Sequence, residues 1–156
     1  NKHRTNLTTP NMALYKLIYR SQEAFPFNDE ALARLLMECR LKNSHKNISG
    51  ILLYGYGYFI QMLEGEEHEV RSLFHEKILH DPRHTSVKIL NEGLSYKRLY
   101  PTWAMAYRPY DPESVLDVQG YVNPDKQSIY GRNLLSPLKT LEAMELLSME
   151  VNNRIN

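Results

Sequence analysis

The chain of 156 residues contains only one cysteine, Cys39, and no long hydrophobic run. A single cysteine excludes an internal disulfide and favours a reducing compartment. No apolar stretch approaches the roughly 18 residues that a membrane-spanning helix needs, and no signal-peptide core is evident. These absences predict a cytoplasmic protein without a membrane partner, unless another protein recruits it elsewhere.

An excess of charge of either sign is also lacking, since 19 Lys and Arg stand against 18 Asp and Glu. The net charge of +1 therefore gives no broad electrostatic attraction for nucleic acid or for an anionic membrane. The segment from His75 to His80 resembles the HExxH zinc motif but is one residue too long. Its two histidines would diverge by about 140° around a helix, so we predict no metal site.

Catalytic machinery is not visible in the sequence either. No glycine-rich loop presents backbone N–H groups to an anion beside a catalytic arginine, so we predict that the chain is not an enzyme and keep a small phosphatase only as a remote alternative. Gly55–Phe59 resembles the aromatic third strand of an RNA-recognition module. That module, with single-stranded RNA as ligand, is the main alternative. Against it, the basic lead residue is missing and the glycines are typical of a hairpin turn.

Hydrophobic periodicity is what the sequence does contain, and it predicts one folded unit with the order βαββαββ. The predicted strands are 14–21, 48–54, 58–65, 87–92 and 103–107, and the predicted helices are 28–41 and 66–79. This order is typical of an α+β, ferredoxin-like mixed sheet with both helices on one face. Right-handed crossovers would place the first and third strands side by side at the centre of the sheet.

Three regions follow from this pattern. Residues 1–11 are polar and aperiodic, which indicates a disordered arm or an expression-tag remnant. Residues 12–108 form the predicted domain, and residues 109–156 form a C-terminal extension with a helix at about 137–151. Ser136 and Pro137 are typical of the start of that helix. It is predicted to cover the second face of the sheet, and the alternative is that it transmits a signal or holds a partner.

Gln61 is the polar residue that this fold explains least. Strand alternation places Phe59, Gln61 and Leu63 on one side of the third strand, the side expected to pack against the helices. A buried amide without hydrogen-bond partners costs about 1–3 kcal/mol. The fold therefore requires a partner for Gln61.

A polar cluster with aromatic neighbours surrounds Gln61 in the predicted sheet. Tyr19 lies on the adjacent strand, Asn43 follows the first helix, and Trp103 and Met105 project from the fifth strand on the same side. A flat heterocycle with an imide N–H and two carbonyls would match a glutamine and an asparagine that both donate and accept. Taken one at a time, these residues are equally well explained as a buried polar network.

Together these motifs resemble the BLUF domain, a blue-light sensor that uses flavin. The resemblance covers roughly residues 14–107, with matching pieces at Leu17–Ser21, Asn43, Ile48–Leu52, Phe59–Gly65, Asp81–His84 and Trp103–Met105. The FxQxLEG strand, here Phe59–Gly65, is specific to the family. The resemblance implies a short photoreceptor, because a chain that ends at Asn156 is too short for an attached cyclase or phosphodiesterase.

The resemblance also implies the cofactor, usually FAD with FMN or riboflavin as alternatives, held between the two helices. The implied cofactor-binding residues are Tyr19, Leu35, Asn43, Phe59, Gln61, Ile78, Asp81, Arg83 and His84. Asn43 would hold the O4 and N3–H edge of the ring. Arg83 and His84 would reach the ribityl or phosphate part, or would instead cap the second helix.

In the mechanism that the resemblance implies, Tyr19 gives an electron and a proton to the excited flavin. Their return leaves Gln61 rotated or tautomerised, with a new hydrogen bond to O4 and a red-shifted absorption. Trp103 or Met105 then changes its relation to Gln61, and the sequence leaves open which of the two faces the ring. The output would pass through the C-terminal helix to a protein partner or to a homo-oligomer.

Overall fold

A five-stranded mixed sheet with helices on one face forms the structure, a computed structural model that describes residues 13–110. Its elements are β1 (Leu14–Glu23), α1 (Asp29–His45), β2 (Ser49–Gly55), β3 (Tyr58–Glu66), α2 (Glu67–Ser72) with a π-helical continuation (Leu73–Ile78), β4 (His84–Ser95) and β5 (Ala106–Pro109). The predicted α+β class and βαββαββ order are confirmed. The predictions for residues 1–11 and for a helix at about 137–151 lie outside the described residues.

The sheet has the strand order β4-β1-β3-β2-β5. Antiparallel pairing joins β1 to both β3 and β4 and joins β2 to β3, whereas β2 and β5 are parallel. The first and third strands are therefore central neighbours, as predicted. Tyr19 on β1 lies directly opposite Gln61 on β3 in the pairing register.

Helix α1 begins where its capping residues predict. The side chain of Asn28 accepts a hydrogen bond from the backbone N–H of Ala31 at 2.8 Å, which satisfies one of the free donors of the first turn. The helix continues to His45, four residues beyond the predicted end at Leu41. Asn43 therefore lies in the last turn of α1, and the prediction that it follows the helix is wrong. The extra turn is mostly exposed, so apolar periodicity could not reveal it.

The β2–β3 connection is a tight hairpin. Tyr56 and Gly57 both have positive φ, at 54° and 82°, which is the backbone of a type I′ turn. The glycine pattern that resembled an RNA-binding strand therefore builds a turn, as the hairpin interpretation predicted.

The second helix changes its hydrogen-bond pattern halfway. After Ser72 the chain is π-helical, and the N–H of Leu79 donates to the carbonyl of Phe74, five residues back, at 2.9 Å. Apolar spacing predicted the extent of this element but not its π-helical half, because the two helix types share one buried face. Such π segments occur frequently at functional sites.

The fifth strand is shorter than predicted, because it starts at Ala106 rather than Trp103. The N–H of Trp103 donates to the carbonyl of Tyr100 at 3.2 Å, so the residues before Ala106 form a turn in which strand alternation does not apply. Trp103 packs on the face opposite the helices, whereas Met105 and Tyr107 pack on the helix-covered face. The prediction that all three share one face is wrong for Trp103.

Two apolar clusters occupy the two faces of the sheet. The helix-covered face contains residues from both helices, and the opposite face packs against Leu99, Tyr100 and Trp103 of the β4–β5 connection.

Among residues 13–110, no helix is long and apolar enough to cross a membrane.

Candidate functional site

A cavity of about 540 Å³ lies between the helices and the sheet, within the size range of small-molecule sites. Its wall includes all nine residues that the sequence analysis proposed for the cofactor: Tyr19, Leu35, Asn43, Phe59, Gln61, Ile78, Asp81, Arg83 and His84. Trp103 and Met105 are not part of the wall. The fold therefore brings residues from β1, α1, β3, the π-helical segment and the following loop to one site.

Tyr19 and Gln61 form a hydrogen-bonded pair in the wall of the cavity. The Tyr19 hydroxyl donates to Gln61 Oε1 at 2.5 Å, and both residues are buried. Burial, with smaller contributions from Cys39 and Asp81, raises the pKa of Tyr19 well above its ordinary value. Tyr19 is therefore a neutral phenol throughout the physiological pH range, and its proton is directed at Gln61.

The other end of the Gln61 amide contacts the segment before β5. Gln61 Nε2 donates to the Met105 sulfur at 3.4 Å, and Met105 is fully buried. A thioether is a weak acceptor, so this is the weaker of the two Gln61 contacts. Met105, not Trp103, therefore lies inward beside Gln61. The Trp103 Nε1 atom is buried on the other face and has no hydrogen-bond partner within residues 13–110.

Helix α1 holds the backbone of this same segment. Asn43 Nδ2 donates to the carbonyl of Ala104 at 3.0 Å, and Arg40 Nε donates to the carbonyl of Met105 at 2.8 Å. Asn43 is 2% exposed, and its Oδ1 makes no hydrogen bond with any residue that the structure describes. This acceptor of a mostly buried residue in the cavity wall is thus available to a ligand N–H.

An ion-pair network joins the loop after the second helix to α1. Arg83 donates to both carboxylate oxygens of Asp81, with Nη2 to Oδ2 at 2.8 Å, and its Nη1 donates to Glu38 Oε1 at 3.1 Å. Burial by itself raises the pKa of Asp81, but hydrogen bonds and charge from Arg83 outweigh it and lower that pKa overall. The hydrogen bonds that Arg83 donates to Asp81 likewise raise the pKa of Arg83. Arg83 therefore links the loop after the second helix to α1 in the cavity wall.

His84 connects the cavity wall to β1 and to the end of the π-helical segment. Its Nε2 lies 2.7 Å from the carbonyl oxygen of Ile78, which can only accept, so Nε2 carries a hydrogen. Its Nδ1 lies 2.7 Å from the hydroxyl of buried Ser21. The ring meets Tyr19 edge-on, with centroids 6.0 Å apart. The contact to the carbonyl of Ile78 is consistent with the alternative prediction that His84 caps the end of the second helix.

Several residues of the wall were not predicted from the sequence, namely Phe27, Glu38, Cys39, Lys42, Leu52, Leu73, Lys77 and Pro82. For Glu38, Cys39 and Lys42 the signal was present, because they recur with the predicted Leu35 at the three- and four-residue spacing of one helix face. Burial raises the pKa of the Cys39 thiol, which is consistent with a cysteine that fills space rather than reacts. Phe27, in the loop before α1, had no such signal.

The RNA-binding alternative finds no support in residues 13–110. Phe59, which would have to stack on a base, is 4% exposed and packs beneath the helices. No group of three or more metal-ligating side chains occurs in the described part of the chain.

The wall suits a flat, partly polar ring. Its apolar sides are supplied by Leu35, Phe59 and Ile78, while Asn43 and Gln61 provide amide groups with both donors and acceptors. The free Oδ1 of Asn43 matches an imide N–H, the group that the Gln and Asn pair was expected to recognise. The residues present therefore fit an isoalloxazine ring.

Comparison with known proteins agrees with this geometry. The family model BLUF, sensors of blue-light using FAD, matches residues 14–106. Photoactivated adenylate cyclase subunit alpha of Euglena gracilis is 35% identical over 99 residues, which is 62% of this chain and 10% of that protein. The blue light- and temperature-regulated antirepressor BluF of Escherichia coli (strain K12) is 31% identical over 74 residues, which is 47% of this chain and 18% of that protein.

Among solved structures, the photo-activated state of BlsA superposes with a TM-score of 0.72 at 28% identity, covering 86% of this chain and 94% of that one. The chain spans about a tenth of the length of the Euglena cyclase relatives. Because the family match covers more than half of the chain, the chain belongs to the BLUF family, the sensors of blue-light using FAD.

Proposed function

We propose that residues 12–108 act as the light-sensing domain, with the isoalloxazine ring of FAD in the cavity between the helices, and that Gln61 is the switch. Leu35, Phe59 and Ile78 would pack against the ring, and Asn43 would present Oδ1 to its imide N–H. Asp81, Arg83 and His84 stand on the loop side of the cavity, where the ribityl or phosphate part is expected.

Tyr19 is the residue that we propose as the donor of an electron and a proton. A bound flavin supplies absorption of blue light and, when excited, an acceptor for one electron and one proton. Tyr19 is the one tyrosine among the described residues of the cavity wall. Its raised pKa keeps the phenol neutral, so loss of an electron requires loss of the proton as well. That proton already points at Gln61 Oε1.

Gln61 responds because its two hydrogen bonds differ in strength. When Tyr19 gives up its proton, Gln61 Oε1 loses the donor that holds it, and only the contact from Nε2 to the Met105 sulfur remains. That contact is weak, so rotation or tautomerisation of the amide has little to oppose it. Once the Tyr19 proton returns, the rearranged amide presents a different group to Tyr19, to Met105 and to the cavity.

The output would leave the site through Met105. This residue immediately precedes β5, which pairs with β2 from Ile51 to Tyr54. A change at the Gln61–Met105 contact would therefore act on β5 and on the extension at 109–156. We propose that the extension passes the state to a protein partner or to a second copy of the chain. The relatives named as a cyclase and as an antirepressor support output to an effector.

The observation that carries this proposal is the Tyr19–Gln61–Met105 relay at the cavity wall. Its test is spectroscopic: the purified protein should be yellow, and blue light should shift the flavin bands reversibly to the red. A protein that remains colourless after reconstitution with FAD contradicts the proposal. So does a protein that binds FAD but shows no shift.

The partner step needs a separate measurement. Light scattering on the full chain, in the dark and under continuous blue light, should show a change in mass if a second copy receives the signal. An unchanged mass would assign the output to a different protein.

A further inference from the structure

Glu64 is a buried carboxylate on the face of the sheet opposite α1 and α2. It is 1% exposed and lies on β3, three residues after Gln61 and on the opposite side of the strand. Its carboxylate accepts three hydrogen bonds: from the N–H of Leu99 at 2.9 Å, from the N–H of Tyr100 at 2.6 Å and from the Ser49 hydroxyl at 3.1 Å. The β4–β5 connection is thereby tied to β3.

Arg98 strengthens the same attachment from the connection itself. Its Nη1 donates to the Ser49 hydroxyl at 2.8 Å and to the backbone carbonyl of Glu64 at 3.1 Å. Its Nη2 donates to the carbonyl of Asn47 at 2.8 Å. Three consecutive residues, 98–100, are therefore held by one carboxylate, one serine and two carbonyls at the ends of β2 and β3.

From this anchor the chain takes only five residues to reach Met105. Along the way the N–H of Gly50 donates to the carbonyl of Trp103 at 3.3 Å, and α1 holds the carbonyls of Ala104 and Met105. The side chain of Met105 then ends against Gln61. The segment thus starts at a fixed carboxylate on one face and ends at the proposed switch on the other.

A buried carboxylate with three donors is costly to replace. Hydrogen bonds to a charged group are roughly twice as strong as those between neutral partners. A glutamine at this position would retain one acceptor oxygen and would direct N–H groups at backbone N–H groups. Burial, together with the negative charge of Glu64, also raises the pKa of Tyr100.

We propose that Glu64 is a positioning residue for the light response: it fixes residues 98–100 and thereby sets how Met105 meets Gln61. When Gln61 rearranges, movement is confined to the part of the connection between this anchor and β5. The inference rests on the proposed role of Gln61. Glu64, through its charge, is then a second determinant of the lifetime of the lit state.

The first test is a double-mutant cycle on the rate at which the red-shifted state returns to the dark state. Glu64→Gln should change that rate by at least about threefold, within the range of coupling between neighbouring residues. In a Met105→Leu background the same substitution should change it by less than about 1.5-fold, because the sulfur contact through which Glu64 acts is then absent and the two substitutions are coupled rather than additive. Glu92→Gln on β4, an exposed glutamate that accepts from Tyr15, is the matched control.

A rate that Glu64→Gln leaves unchanged would overturn the proposal, and so would an equal effect in both backgrounds, which indicates a structural role only. A readout that needs no light separates this outcome from failure of the proposed function. The ¹³C-methyl resonance of Met105 in the dark should move in Glu64→Gln and stay in place in Glu92→Gln. If it stays in place in both variants, Glu64 does not position Met105.

If Glu64→Gln fails to fold, hydrogen exchange on the unaltered chain decides the matter. Under blue light the N–H groups of Leu99 and Tyr100 should retain their dark-state protection, while exchange near Met105 accelerates. Loss of protection at Leu99 and Tyr100 together with Met105 would show that the carboxylate is not a fixed anchor.

Discussion

The two faces of β3 differ in how their polar groups are bonded. On the helix-covered face, Gln61 has one short hydrogen bond from Tyr19 and one weak contact to the sulfur of Met105. On the opposite face, Glu64 is held by two backbone N–H groups and a hydroxyl. Both side chains are almost completely buried, at 3% and 1% exposure. Burial alone therefore does not distinguish them.

The difference lies in what each group can do without losing its partners. An amide has a donor end and an acceptor end, so rotation exchanges one bonding pattern for another. An ionised carboxylate only accepts, and its partners here are mainly fixed backbone groups. The Gln61 side is therefore suited to switching and the Glu64 side to holding. A movable contact on one face is useful only if the other face keeps the same segment in place.

The largest effect is expected from Gln61→Leu. The variant should bind flavin but show no red shift, because no amide remains to rearrange. Absorption spectra before and after blue light measure this. Gln22→Leu, the same change at an exposed position of β1, should keep the full shift. A normal shift in Gln61→Leu would remove Gln61 from the mechanism.

Tyr19→Phe should abolish the normal photocycle while the protein stays yellow. The phenyl ring preserves packing but has no hydroxyl to give a proton to Gln61. The yield of the red-shifted state after a light pulse is the measurement. Tyr15→Phe is the control, because Tyr15 is buried on the same strand but bonds to Glu92 rather than to Gln61. Equal yields in both variants would exclude Tyr19 as the donor.

Met62→Ala tests the face of β3 that carries Glu64. Met62 is fully buried in the cluster opposite the helices, so its truncation should lower the free energy of unfolding by about 2–5 kcal/mol. The dark-state flavin bands should not move. Met37→Ala, at a position 67% exposed, should change stability by less than about 0.5 kcal/mol. A spectral change in Met62→Ala would show that the two faces are not separate in function.

Met105→Leu is expected to have the converse effect. A swap of similar volume should cost less than about 1.5 kcal/mol of stability but should alter the recovery rate of the lit state. Denaturant unfolding and recovery kinetics on the same sample compare the two quantities. Unchanged recovery would mean that the Gln61–Met105 contact does not take part in the response.

The smallest effect concerns pH and the ion pair of Asp81 with Arg83. The pKa of Asp81 is lowered in the folded state, so the pair contributes stability above the unfolded pKa of about 4 and loses it as pH falls through the folded value. The pair is partly exposed, so the contribution should be about 1 kcal/mol or less. The stability difference between the unaltered chain and Asp81→Asn should shrink below about pH 4. A difference that grows with acidity would contradict this assignment.

Local sequence patterns predicted the elements well where side chains alternate or recur regularly. The order of strands and helices and the hairpin at Tyr56 and Gly57 could all be derived in this way. Prediction failed where regular alternation stops. Trp103 was placed with Met105 because a strand was assumed to include both, whereas the backbone turns before Ala106 and sends Trp103 to the other face.

The extra turn of α1 and the π-helical segment were missed for a related reason. Exposed polar residues at a helix end have no apolar period, so the turn that contains Asn43 could not be recognised. The shift from α- to π-helical hydrogen bonding after Ser72 leaves the buried face almost unchanged, and only the bond from Leu79 to Phe74 reveals it.

The sequence by itself determined the fold class, the adjacency of Tyr19 and Gln61 and the family, because these follow from periodicity and from a specific motif. Only the tertiary structure decided that Met105 rather than Trp103 contacts Gln61, and that Glu64 holds the connection leading to it. These facts depend on how an irregular segment crosses from one face of the sheet to the other. Its path is set by hydrogen bonds from α1, β2 and β3, elements that are distant in sequence and adjacent only once the chain has folded.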